Sequence, residues 1–379
     1  MPDPIINRSA PRTIPVACPD LTEAEALAAY RTVKSSWISQ GPRVEAFERA
    51  IAAAHGKRFG IACCSGTSAL MLALQALHIG PGDEVICPTF TMVAVPNAIM
   101  YRGAIPVFVD SQWAPVNGSF ETGDGNGNAS LDMIVRCVTP RTKAIIAVHT
   151  YGEPLDVPML AVNVPIIEDC AEAHYATFND GRPVGSIGVA ACFSFFSNKI
   201  CAAGEGGVVA ANLDWLNERL RSLRSHAFTP GQHFTHQELA YGFRMPDIVA
   251  AVGLVQHERR TELLAIRRTL EWQYRDRFSR GAGSSYGIEL TKRSAGSVPW
   301  VMPILARDEV QRDKVRWKLA DVGVETRTYF VPGSRQAHLR QFAVGRTFPA
   351  AESLAARGLY LPLHTKMTEE DVDYVCNSL

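Results

Sequence analysis

Residues 192–207 read CFSFFSNKICAAGEGG, an apolar strand followed by a polar turn and a glycine-rich segment. A single lysine, Lys199, stands between the strand and the glycines. A lysine held there among small residues is placed to form a Schiff base with a carbonyl group, because desolvation favours the neutral, nucleophilic amine. A lone lysine after a buried strand is more commonly an exposed surface residue. The segment therefore needs support from elsewhere in the chain.

Two upstream segments give that support. Residues 164–174, VPIIEDCAEAH, predict a buried strand that delivers Asp169 at its carboxyl end. Residues 59–77, FGIACCSGTSALMLALQAL, predict a strand, a turn and a helix. The start of such a helix offers unpaired N–H groups and a positive dipole end to a phosphate. Phosphate turn, carboxylate and lysine together indicate pyridoxal phosphate.

Each part has a separate task in that chemistry. The turn Gly66–Ser68 would hold the phosphate. Asp169 would face the pyridine nitrogen and keep it protonated, which makes the ring a better electron sink. Lys199 would hold the aldehyde and, once displaced by an amino substrate, would move a proton as general acid and base. None of these motifs is specific alone, but their ordered combination is.

Apolar runs and amphipathic stretches alternate along the chain. This alternation predicts an α/β fold with a mixed, mostly parallel sheet covered by helices on both faces. We expect an N-terminal arm over 1–20, a large domain over 21–256 and a smaller C-terminal α/β domain over 257–379. The strands are predicted at 59–63, 84–87, 105–109, 144–148, 164–168, 190–196 and 207–211, with helices at 22–36, 43–55, 67–78 and 92–102.

Composition excludes several classes of function. The chain has 379 residues, of which 38 are basic and 38 acidic, so it lacks the net positive charge typical of nucleic-acid binding. Neither a signal-peptide pattern nor an apolar run of about 20 residues is present, which predicts a cytoplasmic protein without membrane contact. The nine cysteines lack paired metal-ligand spacing, so we expect neither a disulfide framework nor a metal site.

The chain resembles the DegT/DnrJ/EryC1/StrS family of pyridoxal-phosphate-dependent sugar aminotransferases over nearly its whole length. The resemblance implies the fold of aspartate aminotransferase (fold type I) and a homodimer with composite active sites. The segments that carry it, in the family's order, include SGTSAL (65–70), GDEVICPTFTMVAVPNAI (82–99), HTYGEPLDV (149–157), IEDCAEAH (167–174), SFFSNKICAAGEGG (194–207), YGFRMPDIVAAVGLVQ (241–256) and LPLHTKMTEEDVDYV (361–375).

The same resemblance assigns roles to residues. It makes Lys199 the Schiff-base lysine and Asp169 the partner of the pyridine nitrogen. Phosphate ligands would be Gly66, Thr67 and Ser194, beside Ser68 from the predicted turn.

Three positions complete or depart from the family pattern. Glu172 stands where the family often has Gln, near the phenolic oxygen of the cofactor. Met92 replaces the aromatic residue that many relatives place on the cofactor face, which implies a softer, more polarizable contact. Gly242 replaces an Asn that in many members reaches the phosphate of the neighbouring subunit, so this cross-subunit contact is in doubt.

Candidate substrate residues are His149, Arg327 and Tyr329. His149 follows a strand at the depth of the pocket, and a structural histidine bonded to backbone is an equal alternative. Arg327 and Tyr329 lie in GVETRTYFVP, which resembles the family segment that approaches the substrate from the small domain. An edge strand with alternating polar residues explains them equally well.

The resemblance implies amino transfer from an amino acid, L-glutamate, to a nucleotide-linked keto sugar, with pyridoxamine phosphate as the intermediate form of the cofactor. Similarity to perosamine synthases favours C4 of a 4-keto-6-deoxy sugar. Alternatives are a C3-keto-sugar or cyclitol aminotransferase and a sugar dehydratase that uses the same cofactor. Such dehydratases carry His at the lysine position, whereas this chain has Lys199. A non-catalytic binding or regulatory homologue would show decay of the motifs, and none is seen.

Overall fold

The computed structural model describes residues 6–7, 9, 12–112, 126–232 and 234–379, and its strands form two sheets. The larger sheet has seven strands in the order β1-β7-β6-β5-β4-β2-β3 and the smaller has four in the order β10-β11-β9-β8. The strands are β1 (Phe59–Cys63), β2 (Glu84–Pro88), β3 (Ile105–Val109), β4 (Thr142–Val148), β5 (Ile166–Asp169), β6 (Ala190–Ser194), β7 (Gly207–Ala211), β8 (Glu289–Leu290), β9 (Met302–Leu305), β10 (Arg327–Thr328) and β11 (Gly358–Leu361).

The larger sheet is mixed and mostly parallel, which confirms the predicted fold class. Strands β6, β5, β4, β2 and β3 pair in parallel. Strand β7 runs antiparallel to both of its neighbours, β1 and β6, so these two point the same way. The carboxyl ends of six strands therefore meet at one edge of the sheet, where ligands of such sheets bind.

The four helices that the sequence predicted are present close to their expected bounds, and further helices follow along the chain. The helix α3 begins after Ser65, whose side chain caps it, and α2 begins at a proline, which suits a first helical position. The helices are α1 (Glu23–Lys34), α2 (Pro42–Ala54), α3 (Gly66–Ala76), α4 (Ala94–Tyr101), α5 (Leu131–Arg136), α6 (Asp214–Arg224), α7 (Asp247–Glu258), α8 (Arg260–Ser279), α9 (Glu309–Asp321), α10 (Pro349–Arg357) and α11 (Glu369–Asn377).

Two apolar cores lie in the described residues. The larger surrounds the seven-stranded sheet and continues into C-terminal residues such as Val298, Trp300 and Tyr329. The smaller lies between the four-stranded sheet and helices α8, α9 and α11, and it includes Ile14. Ile14 exchanges backbone hydrogen bonds with the segment 323–325, so this part of the predicted N-terminal arm packs on the C-terminal region. The rest of the arm lies partly outside the described residues, and the domain boundaries remain predictions.

The two sheet regions are also joined by polar contacts. Asp110, at the end of β3, accepts hydrogen bonds from the backbone N–H groups of Ala350 and Ala351 in α10 at 3.0 and 2.8 Å. Arg293 donates to the carbonyl of Tyr151, whose hydroxyl accepts from the N–H of Phe330. These bonds hold the smaller sheet against the carboxyl edge of the larger one. In the described part of the chain no helix combines the length and apolarity needed to span a bilayer.

Candidate active site

A cavity of about 520 Å³ opens at the carboxyl edge of the larger sheet. Its floor is formed by residues at or just after the carboxyl ends of β1, β2, β4, β5 and β6, including Thr67, Met92 and Asp169. Trp300 and Tyr360, from the smaller sheet region, cover its other side. The volume suits a small-molecule site, which typically measures about 300–1,000 Å³.

The start of α3 forms one end of the cavity. Ser65 adopts an extended backbone and its Oγ accepts from the N–H of Ser68 at 3.1 Å, which closes the first turn. Gly66 and Thr67 occupy the first helical positions and line the cavity, where their N–H groups have no partner within the helix. A Cβ on Gly66 would lie 2.8 Å from the Cβ of Ser194, so only glycine allows the helix to start this close to β6.

Ser68 lies in the same turn but is used differently. Its hydroxyl donates to the carbonyl of Ser65 at 2.7 Å and accepts from the N–H of Ser65 at 2.9 Å. The side chain is buried and does not line the cavity, unlike those of Thr67 and Ser194. The structure therefore places the hydroxyl of Ser68 in the helix cap, away from the site that the sequence predicted for it.

Asp169 ends β5 at the centre of the cavity floor. Its Oδ1 accepts from the N–H of Ala171 at 3.1 Å, and its carbonyl accepts from the N–H of His149. Burial raises the pKa of Asp169, while the Ala171 N–H and the charge of Lys199 act to lower it. A cationic ligand group at this carboxylate would favour its ionised form.

Lys199 reaches the cavity between a carboxylate and an aromatic ring. Its Nζ lies 3.8 Å from Oε1 of Glu172 and 4.2 Å from the centre of the Trp300 ring. The Oε2 of Glu172 accepts from the backbone N–H of Tyr151 at 2.8 Å, which fixes the carboxylate. Lys199 and Glu172 were predicted at this site from the sequence, whereas Trp300 was not.

Burial shifts the pKa values of these two residues in opposite directions, because it favours the neutral form of each. It lowers the pKa of Lys199 below its ordinary value, although the carboxylates of Glu172 and Asp169 oppose the change. It raises the pKa of Glu172 to about 7, although the nearby Lys199 lowers it. Both effects favour the neutral form of the group concerned, and for Glu172 the change of charge falls near neutral pH.

His149 lines the cavity, but both of its ring nitrogens are already bonded. Nδ1 accepts from the N–H of Leu155 at 3.0 Å, so Nε2 carries the proton and donates to Glu168 at 3.2 Å. Glu168 also accepts three backbone N–H groups, from Gly185, Ile187 and Gly188. These bonds favour the structural interpretation of His149, which presents a ring to the cavity without a free nitrogen.

The cluster of His149, Glu168 and Cys170 has potential metal-ligand atoms within 4.8 Å of one another. Its carboxylate is saturated by the N–H donors just described and by the imidazole, and all three residues are buried. Hydrogen bonding therefore accounts for this cluster without an ion.

The remaining predicted residues are divided between the cavity and the core. Met92 is half exposed and lines the cavity, as does Arg327, which lies 3.4 Å from Glu325. Tyr329 is buried behind the cavity between the rings of Phe90 and Tyr151. The structure thus brings Arg327 to the site but places Tyr329 in the aromatic packing that supports it.

Gly242 lies outside the cavity of its own chain. It forms a bridge with Ser225, and a Cβ at this position would lie 3.0 Å from the ring of His226. Glycine therefore leaves room for that imidazole.

Several cavity residues had no signal in the sequence. Trp300 and Tyr360 are more than 100 residues from Lys199 along the chain and belong to no polar motif. The hydroxyl of Thr91 and the side-chain oxygen of Asn198 are buried without a hydrogen-bond partner among the described residues, and both residues line the cavity. Only the position of Asn198 beside the lysine could have drawn attention to it.

Comparison with known proteins agrees with this geometry. The model of the DegT/DnrJ/EryC1/StrS aminotransferase family matches residues 19–379. The chain belongs to this family.

Relatives and solved structures in the family match nearly the whole chain. A GDP-perosamine synthase of Caulobacter vibrioides is 37% identical over 376 residues, covering 97% of both chains. A UDP-N-acetyl-3-dehydro-alpha-D-glucosamine 3-aminotransferase of Acidithiobacillus ferrooxidans is 36% identical over 342 residues, covering 88% of this chain and 86% of the relative. The structure of Spr1654 of Streptococcus pneumoniae in its pyridoxal phosphate (PLP) form matches this chain with a TM-score of 0.85 and 26% sequence identity. The match covers 97% of both chains.

This family member is an aminotransferase, and its cavity suits pyridoxal phosphate. The close approach of Gly66 to Ser194 leaves helix N–H groups facing the cavity, as a phosphate requires. Asp169 presents a carboxylate at the floor and Lys199 an amine beside it. The unpartnered oxygen atoms of Thr91 and Asn198 provide further polar groups. Met92, Asp169, Glu172, Ser194 and Lys199 all line this one cavity.

Proposed function

We propose that this aminotransferase transfers the amino group of an amino acid, L-glutamate, to C4 of a nucleotide-linked 4-keto-6-deoxy sugar. The observation that carries the reaction type is the joint presence of Lys199, Asp169 and the α3 N-terminus in one cavity. The substrate assignment is supported by the similarity to GDP-perosamine synthase over 97% of the chain. The reaction balances without an external oxidant, because the amino acid becomes a 2-oxo acid while the ketone becomes an amine.

We assign the cofactor phosphate to the N–H groups of Gly66 and Thr67 and the hydroxyl of Ser194. Bound pyridoxal phosphate would supply an electron sink for the substrate carbon. Asp169 would pair with its pyridine nitrogen, and Met92 would contact one face of the ring. Ser68 acts indirectly in this proposal, because its hydroxyl holds the cap that orients the helix start.

Lys199 is the group that we assign to covalent attachment and proton transfer. Burial favours its neutral amine, which is the form that attacks a carbonyl carbon or accepts a proton. Glu172 lies 3.8 Å away with a pKa of about 7, so it can hold a proton near the amine at neutral pH. The two residues together keep a transferable proton at the reacting side of the cavity.

Arg327 is the residue that we propose to bind the negatively charged group of the substrate. It stands at the cavity wall with its side chain half exposed, so its guanidinium can reach a carboxylate or phosphate. We give His149 and Tyr329 supporting roles, because the nitrogens of the first are bonded and the ring of the second is buried.

A second candidate function is amination at C3. The 36% identity to a 3-aminotransferase supports it. The test is a panel of nucleotide-linked 4-keto and 3-keto sugars with L-glutamate, with mass spectrometry for new amine and an assay for the 2-oxo acid. We expect equal amounts of amine and 2-oxo acid from a 4-keto sugar. Amine from 3-keto sugars alone would favour the second candidate.

A visible absorbance band after addition of pyridoxal phosphate tests the cofactor and its lysine. We expect the band in the wild-type protein and none in Lys199→Ala. Loss of water from the sugar without consumption of glutamate would instead indicate the dehydratase, and a wild-type protein without the band would contradict the proposed function.

We further propose a homodimer with composite sites. Exposed apolar side chains that a partner chain could cover support this proposal, and they include Tyr30, Val33, Trp37, Ile38, Phe228, Phe234 and Leu239. Light scattering at micromolar concentration should give twice the chain mass of 41.4 kDa, and a single chain mass would contradict the dimer.

A further inference from the structure

Trp300 is held in place by hydrogen bonds to its backbone and by the packing of its ring. The backbone carbonyl of Trp300 accepts from the guanidinium of Arg267 at 3.0 Å, and its backbone N–H donates to the carbonyl of Val298. The side chain is 5% exposed and its ring packs near those of Tyr151 and Tyr360. The indole therefore has one fixed orientation relative to the larger sheet.

The fixed indole contacts the lysine segment in two ways. Its Nε1–H donates to the backbone carbonyl of Asn198 at 2.8 Å, directly before Lys199. Its ring face lies 4.2 Å from Nζ of Lys199, which is within the range of a cation–π interaction. One contact fixes the backbone that carries the lysine, and the other contacts the amine itself.

We propose that Trp300 is a positioning residue that holds Lys199 for reaction with the cofactor and stabilises the protonated form of its nitrogen. This inference rests on the proposed function of Lys199. The indole N–H keeps the Lys199 backbone in place, and the ring covers one side of the amine. With Glu172 on another side, the amine is directed to the open part of the cavity.

The charged and titratable groups around the nitrogen act together with the ring. The carboxylates of Glu172 and Asp169 favour its protonated form, whereas burial disfavours it. His174 lies close enough for Lys199 to affect its pKa, which burial lowers. The other titratable groups that line the cavity are His149, Glu205, Arg327 and Tyr360. Because the ring adds to the stabilisation of the cation, its removal should make the nitrogen lose its proton at lower pH.

Two variants separate the ring face from the indole N–H. Trp300→Leu removes both, and Trp300→Phe keeps a weaker aromatic face but removes the donor. Trp272→Leu, at a 64% exposed position on α8, is the matched control. The measurements are the pH midpoint of the visible band of the protein with bound pyridoxal phosphate and the rate at which the cofactor-free protein develops this band. Circular dichroism checks that each variant is folded.

For Trp300→Leu we expect the midpoint to fall by about 0.5–1 pH unit, the size of a cation–π contact at a partly buried site. For Trp300→Phe we expect a smaller fall and a rate of band formation that is about three- to tenfold lower, as the loss of one hydrogen bond implies. Trp272→Leu should match the wild type in both measurements.

An unchanged midpoint in Trp300→Leu would overturn the role of the ring, and an unchanged rate in Trp300→Phe would overturn that of the N–H. If Trp300→Leu does not fold, Trp300→Met replaces it, because it also removes the aromatic face, and a midpoint equal to the wild type then overturns the role of the ring. If the wild type shows no band, the proposed function itself fails. A normal band unaffected by either Trp300 variant refutes this inference alone.

Discussion

Glu172 differs from a glutamine in one property that burial makes important. Either side chain can accept the N–H of Tyr151, but only a carboxyl group can bind and release a proton. With its pKa raised to about 7, Glu172 changes charge near neutral pH. The identity of this residue therefore affects the charge of the site as well as its hydrogen bonds.

The pH dependence of stability should reveal this carboxyl group. Its folded pKa lies above the ordinary value of 4.5, so the folded protein binds this proton more tightly than the unfolded chain. The contribution of this bound proton to the free energy of unfolding is full below pH 4.5 and is lost as the pH rises through about 7. In the cofactor-free wild type we expect a decrease in unfolding free energy on the order of 3 kcal/mol from this group as the pH rises, and in Glu172→Gln we expect no such decrease.

Urea unfolding at pH 5 and pH 7.5 measures the effect as the difference between wild type and variant. Glu45→Gln is the control, because the Glu45 side chain is 71% exposed. An equal dependence on pH in wild type and Glu172→Gln would show that Glu172 is ionised at both pH values.

Replacement of Asp169 tests its proposed pairing with the pyridine nitrogen. Asp169→Asn keeps an oxygen for the Ala171 N–H but removes the negative charge. We expect kcat to fall about 100-fold or more, as for other preorganised electrostatic contacts, with the fold preserved. Steady-state kinetics with glutamate and circular dichroism give both results. Full activity of this variant would remove Asp169 from the mechanism.

The start of α3 shows how an element is adapted to a ligand. The sequence predicted the helix and its phosphate site because a small polar turn precedes a run of helix-forming residues. It could not distinguish the two tasks within the turn. Ser68 stands at the third helical position, where a hydroxyl completes a capping box, whereas Gly66 and Thr67 face the cavity.

Gly66→Ala tests the close approach of this helix to β6. The new methyl would lie 2.8 Å from the Cβ of Ser194, so the helix start must move. We expect a loss of about 1–3 kcal/mol in the free energy of unfolding, typical of overpacking, and weaker binding of pyridoxal phosphate. Urea unfolding and a cofactor titration measure the two effects.

Gly80→Ala is the matched control for this change, because no atom of the described residues lies within 4 Å of the position that a Cβ would take there. We expect it to bind the cofactor like the wild type. If Gly66→Ala also does so, the geometry at Ser194 does not control the phosphate end of the site.

At the scale of the molecule, the site depends on how the two sheets are held together. Lys199 and Asp169 come from the larger sheet region, whereas Trp300, Arg327 and Tyr360 come from the smaller one. Asp110 is one of the residues that join them, because it caps α10 from the end of β3. Asp110 also accepts a third backbone hydrogen bond, from the N–H of Ser111.

Asp110→Ala should weaken this attachment. It leaves buried N–H groups of α10 without their acceptor, so we expect a loss of about 3 kcal/mol in the free energy of unfolding. Asp308→Ala removes a cap within the smaller region, where Asp308 accepts from Gln311, and should cost about 1 kcal/mol. Chemical denaturation compares the two, and limited proteolysis reports whether the smaller region is released. Equal costs with no release would contradict a joining role for Asp110.

The sequence by itself predicted the seven strands of the larger sheet, the first four helices and the main chemical groups that line the cavity. It could do so because hydrophobic periodicity and turn residues act over a few positions, and because Lys199, Asp169 and Gly66 each follow a predicted strand. Strand ends that meet at one edge then bring these residues together without further information.

Only the tertiary structure decided which neighbours complete the site. It placed Trp300 on Lys199, used both nitrogens of His149 in the core, and put the hydroxyl of Ser68 in a helix cap. These outcomes depend on contacts between segments far apart in the chain and on the burial that such contacts produce. Burial also sets the pKa values of Lys199 and Glu172, and no local pattern of residues encodes it.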